Sequence, residues 1–391
     1  MIELELYGGR PALHLTIAAA LAPRILPANI VISGESAPPD QWAILALREV
    51  GLTPVHLPEV GWEAKSVDIG DWPFDGTRAG VFTLRDQIAG RLAEIGRAFA
   101  PPPALGILGG SGFYDLPGLE DVEDVEVTTP FGAPSGPLRV GTLDGHRVVF
   151  LARHGLHHTL LPHEVNARAN VYALKRMGVT RVLSVSAVGS LREHIAPGEV
   201  VLPRQFLDRT SGRPSTLFGG GVVAHVSLAD PVCGAFADGI AAIARGQGHA
   251  VHPDGTYVCI EGPQFSTRAE SALFRASGAD VVGMTNLPEA RLAREAELCY
   301  ATLTLPTDWD CWRPRDEVAA TDVLAVLRAN VDKARGIVAE VIRTSPTGPC
   351  ACQRVLDTAL ITPPEALSVE AKLRLHAVLD RRLADGASQG G

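Results

Sequence analysis

Four short segments carry residue types that can hold an anion or move a proton. LGILGGSGFYD puts Gly109, Gly110, Ser111 and Gly112 directly after an apolar run. Glycines let the backbone approach a ligand, and a serine hydroxyl among free amides makes an anion nest. Taken alone the segment fits a tight turn equally well, and no Gly-Lys-Ser/Thr follows to complete a P-loop. RVVFLARHG ends an apolar run with Arg153 and His154, which from one strand end can contact a phosphate from two directions, the guanidinium as a bidentate fork. SVSAVGS is a third small-residue terminus, Ser186 to Ser190, and TDWD places Asp308 and Asp310 two residues apart. Polar residues at several strand ends imply one cleft lying across them. His154, His157, His158 and His163 match no zinc spacing and have no acidic partner at a fixed offset, so no metal site is expected there.

These segments need strands to end on and helices between them. Apolar, β-rich runs occur at 105–108, 147–152, 181–188 and 299–305, and from 256 and 279 onward. Helical patterns run from Glu164 to Met177, Pro231 to Arg245 and Leu287 to Ala296. A last one, Thr321 to Ile342, carries Leu324, Leu327, Val331, Ala334, Val338 and Val341 on one face. Such alternation predicts an α/β fold with a parallel or mixed sheet. Pro101, Pro102 and Pro103 separate this region from a preceding one. Before them a strand at Asn29 to Ser33, a helix from Asp40 to Val50 and a helix with Leu84, Ile88, Leu92, Ile95 and Phe99 on one face predict a small α/β domain. After TSPTGP the chain holds a C-x-C pair, Cys350 and Cys352, and a helix from Ser368 to Leu383. The predicted domains are 1–100, 104–345 and 346–391.

At 391 residues the chain is too long for one ordinary domain, and 46% hydrophobic against 20% charged residues gives material for more than one core. A net charge of −9 lacks the cationic excess of a protein that binds nucleic acid or an anionic membrane, which leaves a small molecule as the expected partner. All six cysteines follow residue 232, so no disulfide framework covers the chain. Cys233, Cys259, Cys299 and Cys311 sit singly in apolar runs as buried thiols, which fits a reducing, cytoplasmic compartment. No export signal opens the sequence, and no apolar run approaches the roughly 20 residues that span a bilayer.

Taken in order, ILGGSGFYD, TPFGAPS, LARHGLHHTLLPHEVN, SAVGSLRE, FLDRTSGRPSTLF, IEGPQFSTRAES, GMTNLPEARLAREAELCYA and TDWDCW resemble the methylthioadenosine phosphorylase branch of the trimeric purine nucleoside phosphorylase family. The resemblance runs from Ala104 to Ile342. It implies a mixed sheet flanked by helices and a homotrimer, with a hexamer as the alternative assembly. It also implies phosphate as co-substrate with no metal or other cofactor, and phosphorolysis of 5′-methylthioadenosine to adenine and 5-methylthioribose 1-phosphate. By resemblance Ser111, Arg153, His154, Ser186 and Thr285 bind phosphate and the Ala187 backbone touches base or phosphate. Met284 lies under the ribose, Phe265 and Ser266 flank the base, and His225, Thr321 and Leu324 belong to a 5′ pocket finished by a neighbouring subunit. Asp308 is the expected general acid toward the purine, with Asp310 as its partner. A carboxylate can accept a hydrogen bond from a 6-amino group, which favours adenine. Two carboxyls so close in a dry cleft also favour a raised pKa at one of them. Thr321 is more polar than the usual aliphatic residue, which leaves room for other 5′ groups. The alternatives are a broader purine nucleoside phosphorylase and a non-catalytic phosphorylase-fold scaffold linked to arsenic metabolism.

In the first hundred residues, DWPFDGTRAGVFTLRDQIAGRLAEI is similar to the end of low-molecular-weight phosphatase and arsenate reductase domains. With HLTIAAAL as the helix after that family's catalytic loop, Tyr7 falls at the nucleophilic cysteine and Leu13 at the arginine. Thiol catalysis is therefore excluded, and Asp71 and Asp75 would be remnants. A degenerate module with a scaffolding or regulatory role is the expectation. Its 8 basic and 12 acidic residues speak against nucleic-acid binding.

Overall fold

The computed structural model describes residues 2–6, 12–18, 29–33, 53–55, 64–71, 103–114, 116–313, 320–346 and 348–387. The chain divides into two compact units, one of Met1–Pro101, Gly220–Val223 and Thr362–Gly391, the other of Pro102–Gly219 and Ala224–Ile361.

In the first unit, β1 (Ile2–Leu6), β2 (Ala12–Ala18), β3 (Asn29–Ser33), β4 (Thr53–Val55) and β5 (Ala64–Asp71) form a sheet in the order β4-β3-β1-β2-β5. β1 runs parallel to β3 and antiparallel to β2. The strand expected at Asn29 to Ser33 is present. HLTIAAAL is not the expected helix: most of it lies in β2, where Leu13, Leu15 and Ile17 alternate with His14 and Thr16 in the period of a strand. The alignment that set Tyr7 and Leu13 at catalytic-loop positions therefore loses its anchor. The helices expected at 40–50 and 84–99, together with Asp75, lie outside the described residues.

The second unit is built on an eleven-stranded mixed sheet. Its strands are β6 (Ala104–Gly109), β7 (Leu119–Val125), β8 (Leu138–Leu143), β9 (His146–Ala152), β10 (Val179–Ser190), β11 (Val200–Val201), β12 (Gln205–Arg209), β13 (Val251–His252), β14 (Thr256–Ile260), β15 (Val281–Gly283) and β16 (Cys299–Asp308). The main path runs β12-β14-β15-β10-β6-β9-β8-β7, and β16 pairs with β10 and β11. Every strand foreseen in this region is present. The chain between them forms α1 (Ala167–Arg176), α2 (Gly234–Gly246), α3 (Arg268–Ala276), α4 (Asn286–Glu295), α5 (Ala320–Thr344) and α6 (Leu356–Ala359). The short strands β11 and β13, the hairpin of β7 and β8, and α3 add to what periodicity predicted. The first unit closes with α7 (Val369–Arg374) and α8 (His376–Ala387), where one helix was expected. Among the described residues no helix is long and apolar enough to cross a membrane.

Side-chain alternation on β10 and β16 divides the second unit into two different faces. Leu183, Val185, Ala301, Leu303 and Leu305 join Phe236 and Ile240 of α2 and Ile337, Val338 and Val341 of α5 in one apolar core. The intervening Ser184, Ser186, Tyr300, Thr302 and Thr304 form the polar face, which is the face that meets α4. Ile337 is fully buried at 0% exposure. Its replacement by Ala should cost about 2–5 kcal/mol, read as a lowered midpoint in urea unfolding.

Candidate active site

The glycines after β6 allow an abrupt turn. Ser111–Phe113 make a single 3-10 turn at the strand end, and Gly109 accepts the Arg153 backbone N–H at 2.8 Å. The two strand ends carrying Ser111 and Arg153 are thus side by side, as parallel pairing of β6 with β9 requires. The Ser111 side chain lies outside the described residues.

Arg153 is 3% exposed, and its guanidinium fork points inward. Nε is paired with Glu289 of α4, Nη2 contacts the second Glu289 oxygen at 3.3 Å, Ser184 Oγ at 2.6 Å and the Leu108 carbonyl at 3.0 Å, and Nη1 donates to the Val185 carbonyl at 3.1 Å. Among the described residues, these bonds leave one Nη1 hydrogen over. Burial opposes the charge, but Glu289 outweighs it and holds the Arg153 pKa above its usual range. Glu289 also accepts from Ser184 Oγ at 3.1 Å and Tyr300 Oη at 3.2 Å. Tyr300 accepts from Asn286 Nδ2 at 2.8 Å, Asn286 Oδ1 accepts from Ser186 Oγ at 3.2 Å, and Ser186 Oγ lies 3.0 Å from Thr285 Oγ1. One buried network therefore runs from the cation to the two hydroxyls singled out in the sequence. Glu289, Ser184, Asn286 and Tyr300 were not foreseen. The alternation in VLSVSAV was a usable signal for Ser184, but a glutamate in a charged helix reads as solvated.

His154 leaves the same strand end. Its Nδ1 lies 2.9 Å from the Leu160 carbonyl, which can only accept, so Nδ1 carries the hydrogen and the neutral ring presents Nε2 as an acceptor. Burial, reinforced by Arg153, pushes its pKa down to about 4.

The carboxylate pair sits where β16 runs past β10, with Gly189 opposite Asp308 across a bulge. A Cβ on Gly189 would lie 3.1 Å from Asp308 Oδ1 and 3.3 Å from Asp310 Cβ, so any side chain here would press on both aspartates. Asp308 Oδ1 accepts the Asp310 N–H at 2.8 Å and Oδ2 accepts from Thr307 Oγ1 at 2.7 Å. Asp310 is buried, has φ +52, and burial raises its carboxyl pKa, with the Asp308 charge adding to the effect. The loop is pinned from two sides. Trp312 Nε1 donates to the Ser190 carbonyl at 2.8 Å, and Arg268 of α3 donates to the Cys311 carbonyl at 2.8 Å.

The remaining residues border this region less directly. Ala187 is exposed between the buried Ser186 and Val188, as an opening over β10 requires. Met284 packs on Gly262, and Arg213 holds the Met284 and Leu287 carbonyls at 2.8 and 2.9 Å. Phe265 is 73% exposed; Ser266 follows it, its carbonyl accepting from Cys311 Sγ at 3.2 Å, just before the Thr267–Glu270 capping box that starts α3. His225 is exposed, its backbone bonded to Ala359. Thr321 and Leu324 stand in the first turns of α5, their side chains outside the described residues.

Residues 104–343 match the phosphorylase superfamily. The S-methyl-5′-thioadenosine phosphorylase of Geobacter sulfurreducens is 51% identical over 278 residues, covering 70% of this chain and 97% of the relative. That of Bradyrhizobium diazoefficiens is 51% identical over 284 residues, covering 71% and 98%. Among solved structures, a methylthioadenosine phosphorylase sourced from an antarctic soil metagenomic library is 47% identical with a TM-score of 0.68, covering 71% of this chain and 99% of that one. A mutant adenosine/methylthioadenosine phosphorylase from Schistosoma mansoni in complex with methylthioadenosine is 37% identical with a TM-score of 0.62, covering 66% and 99%.

Two tests follow from the buried groups. Glu289→Gln removes the counter-charge of a buried cation. It should cost roughly 3–5 kcal/mol in urea unfolding and, in the folded fraction, raise the KM for phosphate about tenfold with a smaller change for the nucleoside. His154 binds its proton near pH 4 when folded and near 6.5 when unfolded, so the unfolded chain holds more protons between those values. Stability should therefore fall as pH drops from 6.5 to 4, and less steeply in His154→Gln when urea midpoints are compared across that window.

Proposed function

This chain belongs to the phosphorylase superfamily, and we propose that it phosphorolyses 5′-methylthioadenosine to adenine and 5-methylthioribose 1-phosphate, with inorganic phosphate as co-substrate and no other cofactor. The observation that carries this reading is the convergence at adjacent ends of β10 and β16: the Ser186–Thr285 hydroxyl pair at 3.0 Å on one side and the Asp308–Asp310 turn against Gly189 on the other. Hydroxyls and a buried cation suit phosphate, and a carboxyl pair with one member raised by burial suits a leaving purine.

In the reaction a phosphate oxygen forms the bond to C1′ as the C1′–N9 bond breaks, and the electron pair of that bond goes to the purine, which takes up a proton. Ser111, Ser186 and Thr285 bind the phosphate by hydroxyl groups. Arg153 contributes positive charge from below, and His154 accepts a phosphate proton at Nε2. The Ala187 backbone and Met284 line the sugar side, while Phe265 and Ser266 flank the base. Asp308 is the acid toward the imidazole ring of the purine and Asp310 its partner. One carboxylate left ionised accepts from the 6-amino group and selects adenine. His225, Thr321 and Leu324 belong to the pocket for the 5′ group, which a neighbouring subunit finishes in a homotrimer. Placement in the cytoplasm accords with six unpaired cysteines. Residues 1–100, outside the matched region, act as an accessory module.

Phosphate-dependent release of free base should be fast from methylthioadenosine, measurable from adenosine and negligible from inosine. Rapid inosine turnover would overturn the adenine assignment. Asp308→Asn should lower kcat by roughly 10²–10⁴-fold with the far-UV circular dichroism unchanged, and a variant as active as the parent removes Asp308 from its role.

A further inference from the structure

Four of the six cysteines, scattered in sequence from Cys233 to Cys352, meet in space. The sulfurs of Cys233, Cys299, Cys350 and Cys352 all lie within 4.8 Å of one another, and those of Cys233 and Cys350 are 3.8 Å apart. A zinc ion with four sulfurs at about 2.3 Å in a tetrahedron separates the sulfurs by about 3.8 Å. A disulfide needs about 2.05 Å between two of them and leaves the other two unexplained. We propose that Cys233, Cys299, Cys350 and Cys352 bind one Zn²⁺ as a structural four-thiolate centre.

The surroundings suit that charge. Four thiolates around Zn²⁺ carry a net charge of −2, which buried in an apolar core needs positive partners. Arg294 Nη1 lies 3.4 Å from Cys352 Sγ, and Cys233 is the N-cap of α2, where helix amides concentrate positive potential. Cys233, Cys299 and Cys352 are buried in the apolar core, so the site excludes water, whereas Cys350 is half-buried and offers an entry path. Binding exchanges four S–H protons, released to solvent, for four Zn–S bonds, with no change of oxidation state.

The ligands come from four places: the start of α2, the start of β16, and the two ends of the C-x-C pair that follows α5. An ion here would fasten the segment after α5 to the sheet. It would also fix the start of β16 beside the network above, because Cys299 precedes Tyr300 and the Cys233 N–H donates to the Tyr300 carbonyl at 2.8 Å. The inference does not depend on the reaction assigned to the chain.

Full-length protein, produced in zinc-supplemented medium and purified under reducing conditions, is dialysed and analysed for metal by plasma mass spectrometry. About one zinc per chain is expected, falling to background in the Cys350→Ser, Cys352→Ser double variant. Replacing zinc with Co²⁺ should give the thiolate-to-cobalt charge-transfer band and tetrahedral d–d absorption of an all-sulfur site, which tests the proposal on parent protein even if the variant fails to fold. Metal-free parent protein would overturn it, whether its four thiols react freely or mass spectrometry finds them paired as disulfides. So would zinc retained in the double variant, or a cobalt spectrum without thiolate bands.

Discussion

A guanidinium taken almost wholly out of water must meet a counter-charge and acceptors for its hydrogens, and the second unit is arranged to supply both to Arg153. Glu289 gives the charge, Ser184 and the Leu108 and Val185 carbonyls give the acceptors, and these groups come from three elements, α4, β10 and β6, that meet at the end of β9. Desolvating such a pair costs several kcal/mol per ion, and the attraction between them offsets this only when geometry is good and every lone pair is used. The pair is therefore poor as a source of stability. It is effective as a device of register, since a shift of α4 by one turn would strand both charges.

That constraint reaches the rest of the cleft through hydrogen bonds. Tyr300 and Asn286 link Glu289 to Ser186, and Ser186 to Thr285, so the hydroxyls proposed to hold phosphate are positioned by the group that neutralises Arg153. The hydrogen-bond chain is closed on the protein side. Hydroxyl hydrogens can turn toward an anion without moving a heavy atom, so an incoming phosphate meets an arrangement already built.

The sequence made the strands and long helices of the second unit legible, because apolar runs bounded by Gly and polar residues have few other readings. It also made the strand-end residues legible, since Arg153 with His154, Ser186 to Ser190, and TDWD stand out by type. The family alignment erred at HLTIAAAL, where a helix was expected by resemblance although alternate apolar positions make the strand pattern that β2 follows. The buried polar network was not legible. Glu289 lies in a helix rich in Arg and Glu, and nothing local says which charge faces inward; only the pairing of β10 with β16 and the docking of α4 decide it. The four-sulfur cluster was hidden for a related reason: its members are separated by up to 119 positions, Cys233 and Cys299 each read singly as small buried hydrophobes, and the C-x-C pair shows no partner in its own neighbourhood.

The two aspartates resolve into different physical parts once their surroundings are compared. Asp310 is buried, with its carboxyl pKa raised mainly by that burial, and it is held at a positive φ that Trp312 and Arg268 help to fix. Asp308 is less buried, and each of its oxygens already accepts a hydrogen bond, from the Asp310 amide and the Thr307 hydroxyl. Burial therefore favours a proton on Asp310, whereas Asp308 is the more accessible carboxyl of the two. In the proposed reaction Asp308 faces the purine, and Asp310, whose amide donates to Asp308 Oδ1, stands beside it as its partner. Because a Cβ on Gly189 would press to 3.1 Å from Asp308 Oδ1 and 3.3 Å from Asp310 Cβ, the absence of a side chain there lets the end of β10 lie close against both aspartates.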